Sequence, residues 1–592
     1  MKKIILILLA GALLLGIWKS YAADETLRKD LKPVVVVSFA GIEALKKDVA
    51  FAGNLAVNAD ENARLAWWLN FVKQNLSIVG FDEVRPWGAV AQTDGKEISG
   101  FVFLPVKGLS TLVKVMEPII GKTEDAGKGV YKIMVDEKPM FVTEKNGWTF
   151  FSAKQEALVQ IPADPTVLLD GLNKQYDIAI RLHAANVPEK QYEKILQEFK
   201  NEIAKESKKR SGESDHEFAL RTKAADYALQ YITALTKEIN TVTLGWKLDT
   251  EDPKSYLDFS ITAVEGTQTA QLLAALKETK SDFAGFRLPD AAIVGNLTGK
   301  LPQQKIEILE MALNVARENA IRDIEKEKDE EKAKAAKQLV GKLIDMLQET
   351  VKNGRIDSAW AVVLKPQAVT FLTGAYVANN GTLEEVAQVI ADEVKKKQPA
   401  ISEGIKLNVG EHRGVKLHTV TIPIPTEAKD REKLISLIGD NLEIVFGTSP
   451  KSAYLAVGRE PLKVLKEAID QSVSKASQSV APVDFSVSME AIARFIAAYG
   501  EEESIRQKAA TIAEELRKLA PRDHLTFKVS PTAQGVTYRL EIEEGVLKSI
   551  SKLFEMEKQK VRVRHITDSS PLPWKEGQGK RTTDGERLVI MR

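Results

Sequence analysis

Two distant segments of the chain carry the same alternation of apolar and polar residues. Val242–Gly266 and Leu525–Gly545 each contain two alternating runs separated by a polar stretch, TEDPKS in the first and PTAQG in the second. A period of two is typical of a half-buried strand, because successive side chains point to opposite faces. Each segment therefore predicts a β-hairpin. Aligning the two hairpins places Trp246 over Phe527 and Leu257 over Tyr538.

The similarity extends to other segments, which follow one another in the same order in both halves of the chain. VVVVSFAG resembles AAIVGNLTG, Trp87 lies over Trp360, and Asp177 lies over Asp484. The length differences fall in polar stretches, where insertions are tolerated. The sequence therefore predicts a tandem duplication, with one unit over residues 33–280 and a second over 288–555. Two unrelated domains with similar strand and helix patterns are the alternative.

Apolar residues at helical spacing predict long amphipathic helices between the strands. One stripe comprises Leu309, Ala312, Leu313 and Ala316, and a second runs from Leu339 to Leu347. The predicted fold is α+β: in each unit, an antiparallel, meander-type sheet carries long helices on one face. The charged stretch 324–337 predicts a solvated helix that projects from the body.

A helix is also predicted around Leu65, Trp68, Leu69 and Val72, and its apolar surface is wider than one sheet contact requires. Trp67 and Phe71 form a second apolar stripe beside the first. Deep burial explains such a surface, and so does a lipid-lined groove or a surface for a partner protein. Trp67 and Phe71 are thus the candidate residues for an apolar groove or partner surface.

Both ends of the chain differ from the predicted units. Residues 1–22 have a basic start, an apolar run over Ile4–Trp18 and small residues at Ser20 and Ala22, which predicts a secretory signal peptide. An uncleaved N-terminal anchor is the alternative. Residues 558–592 are basic and rich in proline and glycine, which predicts a flexible tail. The tail also resembles translated intergenic DNA, so an accidental extension of the chain is one alternative. A basic tail that contacts wall polymers or nucleic acid is another.

Composition narrows the classes of function. Lys and Arg number 83 and Asp and Glu 82, so no net field is available to attract nucleic acid, and no nucleic-acid partner is expected. The absence of cysteine excludes disulfides, thiolate metal sites and cysteine nucleophiles. After removal of the signal peptide, no transmembrane segment is expected.

The search for catalytic motifs is negative. The six histidines form no zinc-protease motif, and the chain contains neither a nucleophile elbow nor a dinucleotide fingerprint. His412 and His418, with Glu411, lie in a predicted hairpin that could bring them to one side as a metal site; ordinary polar positions are the default. GNLTGK departs from the phosphate-loop pattern and is better explained as a strand-to-helix turn. No catalytic residue, cofactor or metal site is predicted.

The stretches VVVVSFAGIEAL, RPWGAVAQTDG, EKNGWTF and DPTVLLDGLNKQYDIAIRL resemble a family of large exported planctomycete proteins of unknown function. The resemblance covers residues 33–555 and implies localisation in the cell envelope and a two-unit layout. It implies no reaction.

Two functional hypotheses remain. The first is a non-enzymatic, exported binding or scaffold protein of the periplasm or cell envelope, whose partner is a lipid or other hydrophobic small molecule, or an envelope protein. The second is a hydrolase that acts on envelope polymers through Asp and Glu residues brought together by the fold.

Overall fold

The computed structural model describes residues 31–55, 80–106, 108–120, 123–135, 138–205, 208–379, 381–397, 403–476, 478–553 and 556. The predicted signal peptide (1–22), the predicted tail (558–592) and the candidate residues Trp67 and Phe71 lie outside these ranges. Among the described residues, no helix combines the length and hydrophobicity needed to cross a bilayer.

Twenty strands form one continuous sheet, and every ladder between them is antiparallel. The strands are β1 (Lys32–Phe39), β2 (Trp87–Thr93), β3 (Ile98–Leu104), β4 (Glu124–Asp125), β5 (Val130–Val135), β6 (Lys138–Lys145), β7 (Trp148–Ser152), β8 (Ile178–His183), β9 (Ile239–Asp249), β10 (Lys254–Ala263), β11 (Ala291–Lys300), β12 (Arg355–Lys365), β13 (Ala368–Tyr376), β14 (Ile405–His412), β15 (Val415–Pro423), β16 (Asn441–Ser449), β17 (Ser452–Gly458), β18 (Val483–Ser488), β19 (His524–Pro531) and β20 (Gly535–Glu543).

Helices connect these strands, so the chain is α+β, as predicted. They are α1 (Ile42–Leu55), α2 (Leu109–Ile120), α3 (Leu172–Gln175), α4 (Glu189–Lys205), α5 (Asp215–Glu238), α6 (Gln268–Ala274), α7 (Gln303–Ile324), α8 (Glu330–Lys352), α9 (Gly381–Lys397), α10 (Arg431–Ile438), α11 (Pro461–Lys475), α12 (Met489–Tyr499) and α13 (Glu503–Leu519). A further helix covers residues 544–553.

The two halves of the chain have the same strand order. The first half runs β4-β5-β6-β7-β3-β2-β1-β8-β9-β10 across the sheet, and the second runs β14-β15-β16-β17-β13-β12-β11-β18-β19-β20. A pair of helices enters at the same place in each half, α4 and α5 before β9 and α12 and α13 before β19. The halves join through β10 and β20, which pair along nine residues each, from Lys254–Glu543 to Thr262–Gly535.

The ladders also fix which residues correspond. A bulge interrupts β1 at Val34 and β11 at Ala292. The ladder between β1 and β8 ends at the pair Phe39–Ile178, and the ladder between β11 and β18 ends at the pair Leu297–Val483. Counted from these anchors, Leu257 corresponds to Tyr538, as the alignment had it. Three other matches were wrong by two residues, because Ala89 corresponds to Trp360, Asp177 to Pro482 and Trp246 to Val529. An error of two keeps each side chain on its face, so the hydrophobic pattern could not reveal it.

Alternation along the strands separates two faces of the sheet, which we call front and back. On the front face, Trp87, Val102 and Phe151 form a core with Leu109 and Leu112 of α2. On the back face, Val445, Ala456 and Leu417 form a core with Leu465 and Ala468 of α11. Helices therefore pack on both faces, and the expectation that they lie on one face was wrong. The stretch after β17 forms an amphipathic helix, α11, whose buried face covers the back.

Two local expectations were also wrong. The charged stretch 324–337 is interrupted by a turn between α7 and α8, where the Asp329 side chain accepts a hydrogen bond from the backbone of Lys332 and caps α8. GNLTGK lies within β11 rather than in a turn.

The connection between the halves belongs to the core of the second half. Phe283 and Phe286 are fully buried and pack against Tyr454 and Leu465. Gly285, between them, lies so close to α11 that a Cβ atom would come 2.1 Å from the backbone nitrogen of Ser472. The connection is therefore anchored and does not act as a free linker.

Candidate hydrophobic ligand site

One row of side chains crosses the front face through most of the sheet. Each member is the direct cross-strand neighbour of the next, so all of them point to the same side. From the second half to the first the row reads His418, Phe446, Leu455, Thr373, Trp360, Gly295, Phe485, Phe527, Leu540, Leu257, Trp246, Ile178, Phe39 and Trp87. The row is almost wholly apolar and mostly aromatic.

Near the junction of the halves, the front face is apolar and incompletely covered. Six large apolar side chains there are between 37% and 45% exposed, and we call them the apolar band: Ile180, Leu244, Leu257, Phe259, Leu297 and Leu540. On the back face, β10 and β20 carry Asp258 and Arg539, and the neighbouring β19 carries Lys528. Exposed apolar residues that are contiguous on one face are typical of interaction sites.

The helices above this face also leave apolar residues open. No residue of α4 or α5 is fully buried. Tyr231 of α5 is 52% exposed, yet it lies close to Tyr538. The pKa of Tyr538 is raised mainly by burial and secondly by the nearby Tyr231. Helix α5 therefore passes near the front face without sealing it.

At one end of the row, α9 and the front face border a partly open apolar cavity of about 430 Å³. Leu383, Val386 and Ala387 of α9 line one side. The sheet supplies the opposite wall from five strands, with Thr373, Ala375, Ile405, Val420, Phe446 and Leu455 among its residues. This volume is within the range of roughly 300–1,000 Å³ that small-molecule sites occupy.

At the corresponding place in the first half, the described residues have larger side chains. In the register set by the bulges, Ala375 stands where the first half has Leu104, and Thr373 where it has Val102. Leu104 and Val102 are buried in the core beneath α2. Smaller residues on β13 therefore account for the cavity in the second half.

A chain of hydrogen bonds supplies polar groups at the edge of the cavity. His418 is buried and stacks on Phe446, with ring centroids 4.5 Å apart. Its Nδ1 accepts a hydrogen bond from the backbone N–H of Asn408 at 3.1 Å, which places the proton on Nε2. Nε2 lies 3.4 Å from the Thr448 hydroxyl, and that hydroxyl donates to Glu384 at 3.1 Å.

Burial and hydrogen bonds shift the pKa values of the two ionisable groups in this chain in the same direction. Burial lowers the pKa of His418, so the imidazole is neutral near pH 7. Burial works to raise the pKa of Glu384, but hydrogen bonds from Lys416 and Thr448 outweigh it and lower that pKa. The cavity wall thus includes the Thr448 hydroxyl, with the Glu384 carboxylate behind it, and Thr373, whose hydroxyl donates to the Ala359 carbonyl at 3.0 Å.

His412 and His418 do not form a site together. His418 points to the front face, whereas His412 pairs with Asp470 of α11 on the back face, at 3.1 Å. The hairpin that was expected to bring them to one side exists, but a bulge between Lys406 and Gly410 lies between their positions. The hypothesis of a metal site at His412, His418 and Glu411 was therefore wrong.

A buried group of charged residues escaped the sequence analysis. Asp48 of α1 is 5% exposed, and its Oδ2 has no hydrogen-bond partner among the described residues. Burial, and then the charge of Asp177, raise the pKa of Asp48 to about 7, while Lys247 opposes them. Asp177 accepts hydrogen bonds from Lys247 Nζ and the backbone of Leu248. Only the spatial approach of α1 to β9 brings these groups together, so no sequence signal marks them.

The chain matches no protein-family model, no curated protein and no solved structure.

Proposed function

We propose that this protein is an exported, non-enzymatic binding protein of the periplasm or cell envelope that holds a hydrophobic ligand on the front face of its sheet. The observation that carries the proposal is the apolar cavity beneath α9, which the front-face row links to the exposed apolar band. Burial of apolar surface in such a site supplies ~25 cal/mol per Å² toward binding.

The ligand that fits this chemistry has an apolar body and one small polar end. The wall offers many apolar side chains and few hydroxyl-bearing ones, among them Thr448. An acyl chain with a hydrogen-bonding head group matches such a surface, because few polar atoms are left without partners on either side.

Two further proposals accompany this one. Export rests on the basic start, the apolar run and the small residues of positions 1–22. If it is correct, N-terminal sequencing of the protein from the envelope begins at Ala23. Descent of the two halves from one ancestral unit is supported by their equal strand order and by the bulges at Val34 and Ala292.

The alternative of a polymer hydrolase has weaker support. Asp48 and Asp177 lie close enough for the charge of Asp177 to help raise the pKa of Asp48, but they are 5% and 1% exposed. A polymer chain requires an open cleft at its catalytic pair. Burial of both groups therefore favours a structural role for them.

A fluorescence titration tests the proposal. The full chain is titrated with a fatty acid that carries an environment-sensitive fluorophore, and unlabelled fatty acid is then added as competitor. The variant Ala375→Leu fills the cavity wall with a larger side chain and is expected to weaken binding at least ~10-fold, equal to about 1.4 kcal/mol.

The matched control is Ala368→Leu, the same substitution on the same strand at a position that does not line the cavity. It is expected to bind like the wild type. Saturable binding that Ala375→Leu alone weakens supports the proposal. Equal binding by wild type and Ala375→Leu, or no displacement by the competitor, contradicts it.

A further inference from the structure

Three metal-ligating side chains meet at the end of the β19–β20 hairpin, on the back face and away from the cavity. His524 and Glu543 are direct cross-strand neighbours by the register of the ladder, and Asp523 precedes His524. Each can offer one ligand atom, and these atoms lie within 4.8 Å of one another. We propose that Asp523, His524 and Glu543 bind a divalent transition metal, with zinc the best match to this ligand set.

The distances suit a tetrahedral ion. Nδ1 of His524 lies 3.3 Å from Oδ1 of Asp523 and 3.4 Å from Oε2 of Glu543. Ligands held at ~2.0–2.1 Å from a tetrahedral zinc ion are separated by about 3.3–3.4 Å. Both separations from the imidazole therefore match those of a zinc site, and the two carboxylate oxygens lie within 4.8 Å of each other.

Surrounding groups hold both carboxylates in place. Oδ2 of Asp523 accepts hydrogen bonds from the Ser488 hydroxyl at 2.6 Å and from the backbone of Glu490 at 3.0 Å, which directs Oδ1 toward His524. Oε2 of Glu543 accepts the backbone N–H of His524 at 2.8 Å. Such supporting hydrogen bonds orient ligands in metal sites and increase their affinity.

The environment also limits which ion binds. The Pro521 carbonyl oxygen lies 3.1 Å from Nδ1 of His524, so it either accepts the imidazole proton or stands near the ion when that proton is lost. Lys254 of the first half is the cross-strand neighbour of Glu543 and adds a positive charge nearby. One imidazole nitrogen with carboxylate oxygens suits zinc better than magnesium or calcium, which prefer oxygen ligands alone.

The first half provides a natural comparison. In the register set by the bulges, Thr241 and Thr262 occupy the positions of His524 and Glu543, and their hydroxyls are 2.6 Å apart. A threonine pair thus occupies the corresponding place in the β9–β10 hairpin, where it offers no imidazole or carboxylate ligand. The substitutions His524→Thr and Glu543→Thr are therefore compatible with this fold, and the site is specific to the second half.

The test uses the full chain freed of metal with a chelator and then dialysed against Zn²⁺. Wild type is expected to retain about one zinc ion per chain, and zinc is expected to raise its Tm. His524→Thr and Glu543→Thr are each expected to lose at least ~100-fold in affinity. The control is His216→Ala, which removes an exposed histidine paired with Glu318 and is expected to bind zinc like the wild type.

Zinc-edge X-ray absorption on the wild type identifies the zinc ligands and their distances, so the test does not depend on the folding of a variant. The proposal expects one nitrogen and two or more oxygens at ~2.0–2.1 Å. No retained zinc in the wild type, equal zinc in wild type and either folded variant, or a shell without a histidine nitrogen would each overturn the proposal.

Discussion

Asp258 and Arg539 form a two-point ion pair across the junction between the halves of the sheet. Nε and Nη2 of Arg539 each donate to one carboxylate oxygen of Asp258 at 2.8 Å, and the Tyr176 hydroxyl donates to Oδ2 at 3.0 Å. The guanidinium carbon also lies 3.9 Å from the ring centroid of Tyr256. Asp258 is 1% exposed, so this network replaces the water that its carboxylate would otherwise bind.

The pair occupies a special position. In the register set by the bulges, Asp258 and Arg539 are counterparts, and the ladder also makes them direct neighbours. A residue that pairs with its own counterpart lies on a local two-fold axis. Two identical acidic residues would repel each other there. Because the halves belong to one chain, the two positions can carry different residues, and here they carry opposite charges.

Loss of Arg539 is expected to destabilise the protein. Arg539→Met leaves the Asp258 carboxylate buried with the Tyr176 hydroxyl as its remaining side-chain donor. We expect a loss of about 2–4 kcal/mol in the free energy of unfolding, toward the lower end because Arg539 is partly exposed. Urea denaturation measures it. The double variant Asp258→Asn/Arg539→Met is expected to recover part of the loss. An Arg539→Met variant within ~0.5 kcal/mol of the wild type would contradict this account.

The carboxyl group of Asp48 is expected to make stability depend on pH. Its pKa is raised to about 7 in the folded protein, so the folded state binds the proton more tightly than the unfolded state. Stability is therefore expected to fall as the pH rises from about 4 to about 7, and to stay level above that window. The loss reaches up to about 4 kcal/mol, in order of magnitude.

Asp48→Asn isolates this effect, because asparagine mimics the protonated acid at every pH. Urea unfolding of both proteins between about pH 4 and about pH 8 gives the difference in their stabilities. The variant is expected to equal the wild type at the acidic end and to exceed it at the alkaline end. Parallel pH profiles for the two proteins would show that Asp48 titrates normally.

Gly285 is expected to tolerate no side chain. Its Cβ position lies 2.1 Å from the backbone nitrogen of Ser472 and 2.4 Å from the carbonyl oxygen of Ala468, both in α11. Because backbone atoms cannot move aside as a side chain can, Gly285→Ala is expected to cost about 2–3 kcal/mol or more in thermal or urea unfolding. Gly341→Ala in α8 meets no atom within 4 Å and is expected to be neutral or slightly stabilising. Equal stability of the two variants would mean that the connection is not packed on α11.

Filling the cavity is expected to stabilise the ligand-free protein. Ala375→Leu adds apolar contacts where the first half already has a leucine, Leu104, in a packed core. We expect a gain of about 0.5–2 kcal/mol, measured by thermal unfolding after extraction of bound lipid. Ala368→Leu is expected to change stability by less than ~0.5 kcal/mol. Destabilisation by Ala375→Leu would mean that this space is already filled.

Periodicity predicted the α+β class, the hairpins at β9–β10 and β19–β20, and the helices α7 and α8. Those features depend on spacing along the chain, which the sequence displays directly. The register between corresponding strands, by contrast, depends on bulges and loop lengths. A shift of two residues leaves every apolar residue on its face, and Trp87 was therefore matched to the wrong partner in the second half.

The candidate site was less predictable than the fold. The cavity depends on a difference in size between Ala375 and Leu104, which has no effect on hydrophobic periodicity. The buried neighbours of Asp48 and the pair Asp258–Arg539 come from strands far apart in sequence. Trp67 and Phe71, the predicted groove residues, lie outside the described residues, and their role stays a prediction.

Native mass spectrometry of the full protein, isolated from its native cells under mild conditions, shows whether the cavity carries a ligand. We expect an added mass on the wild type that organic extraction removes and identifies as an apolar molecule with a small polar end. We expect little or no added mass on Ala375→Leu isolated in the same way. A bare wild-type mass, or equal cargo on both proteins, would contradict binding in the cavity.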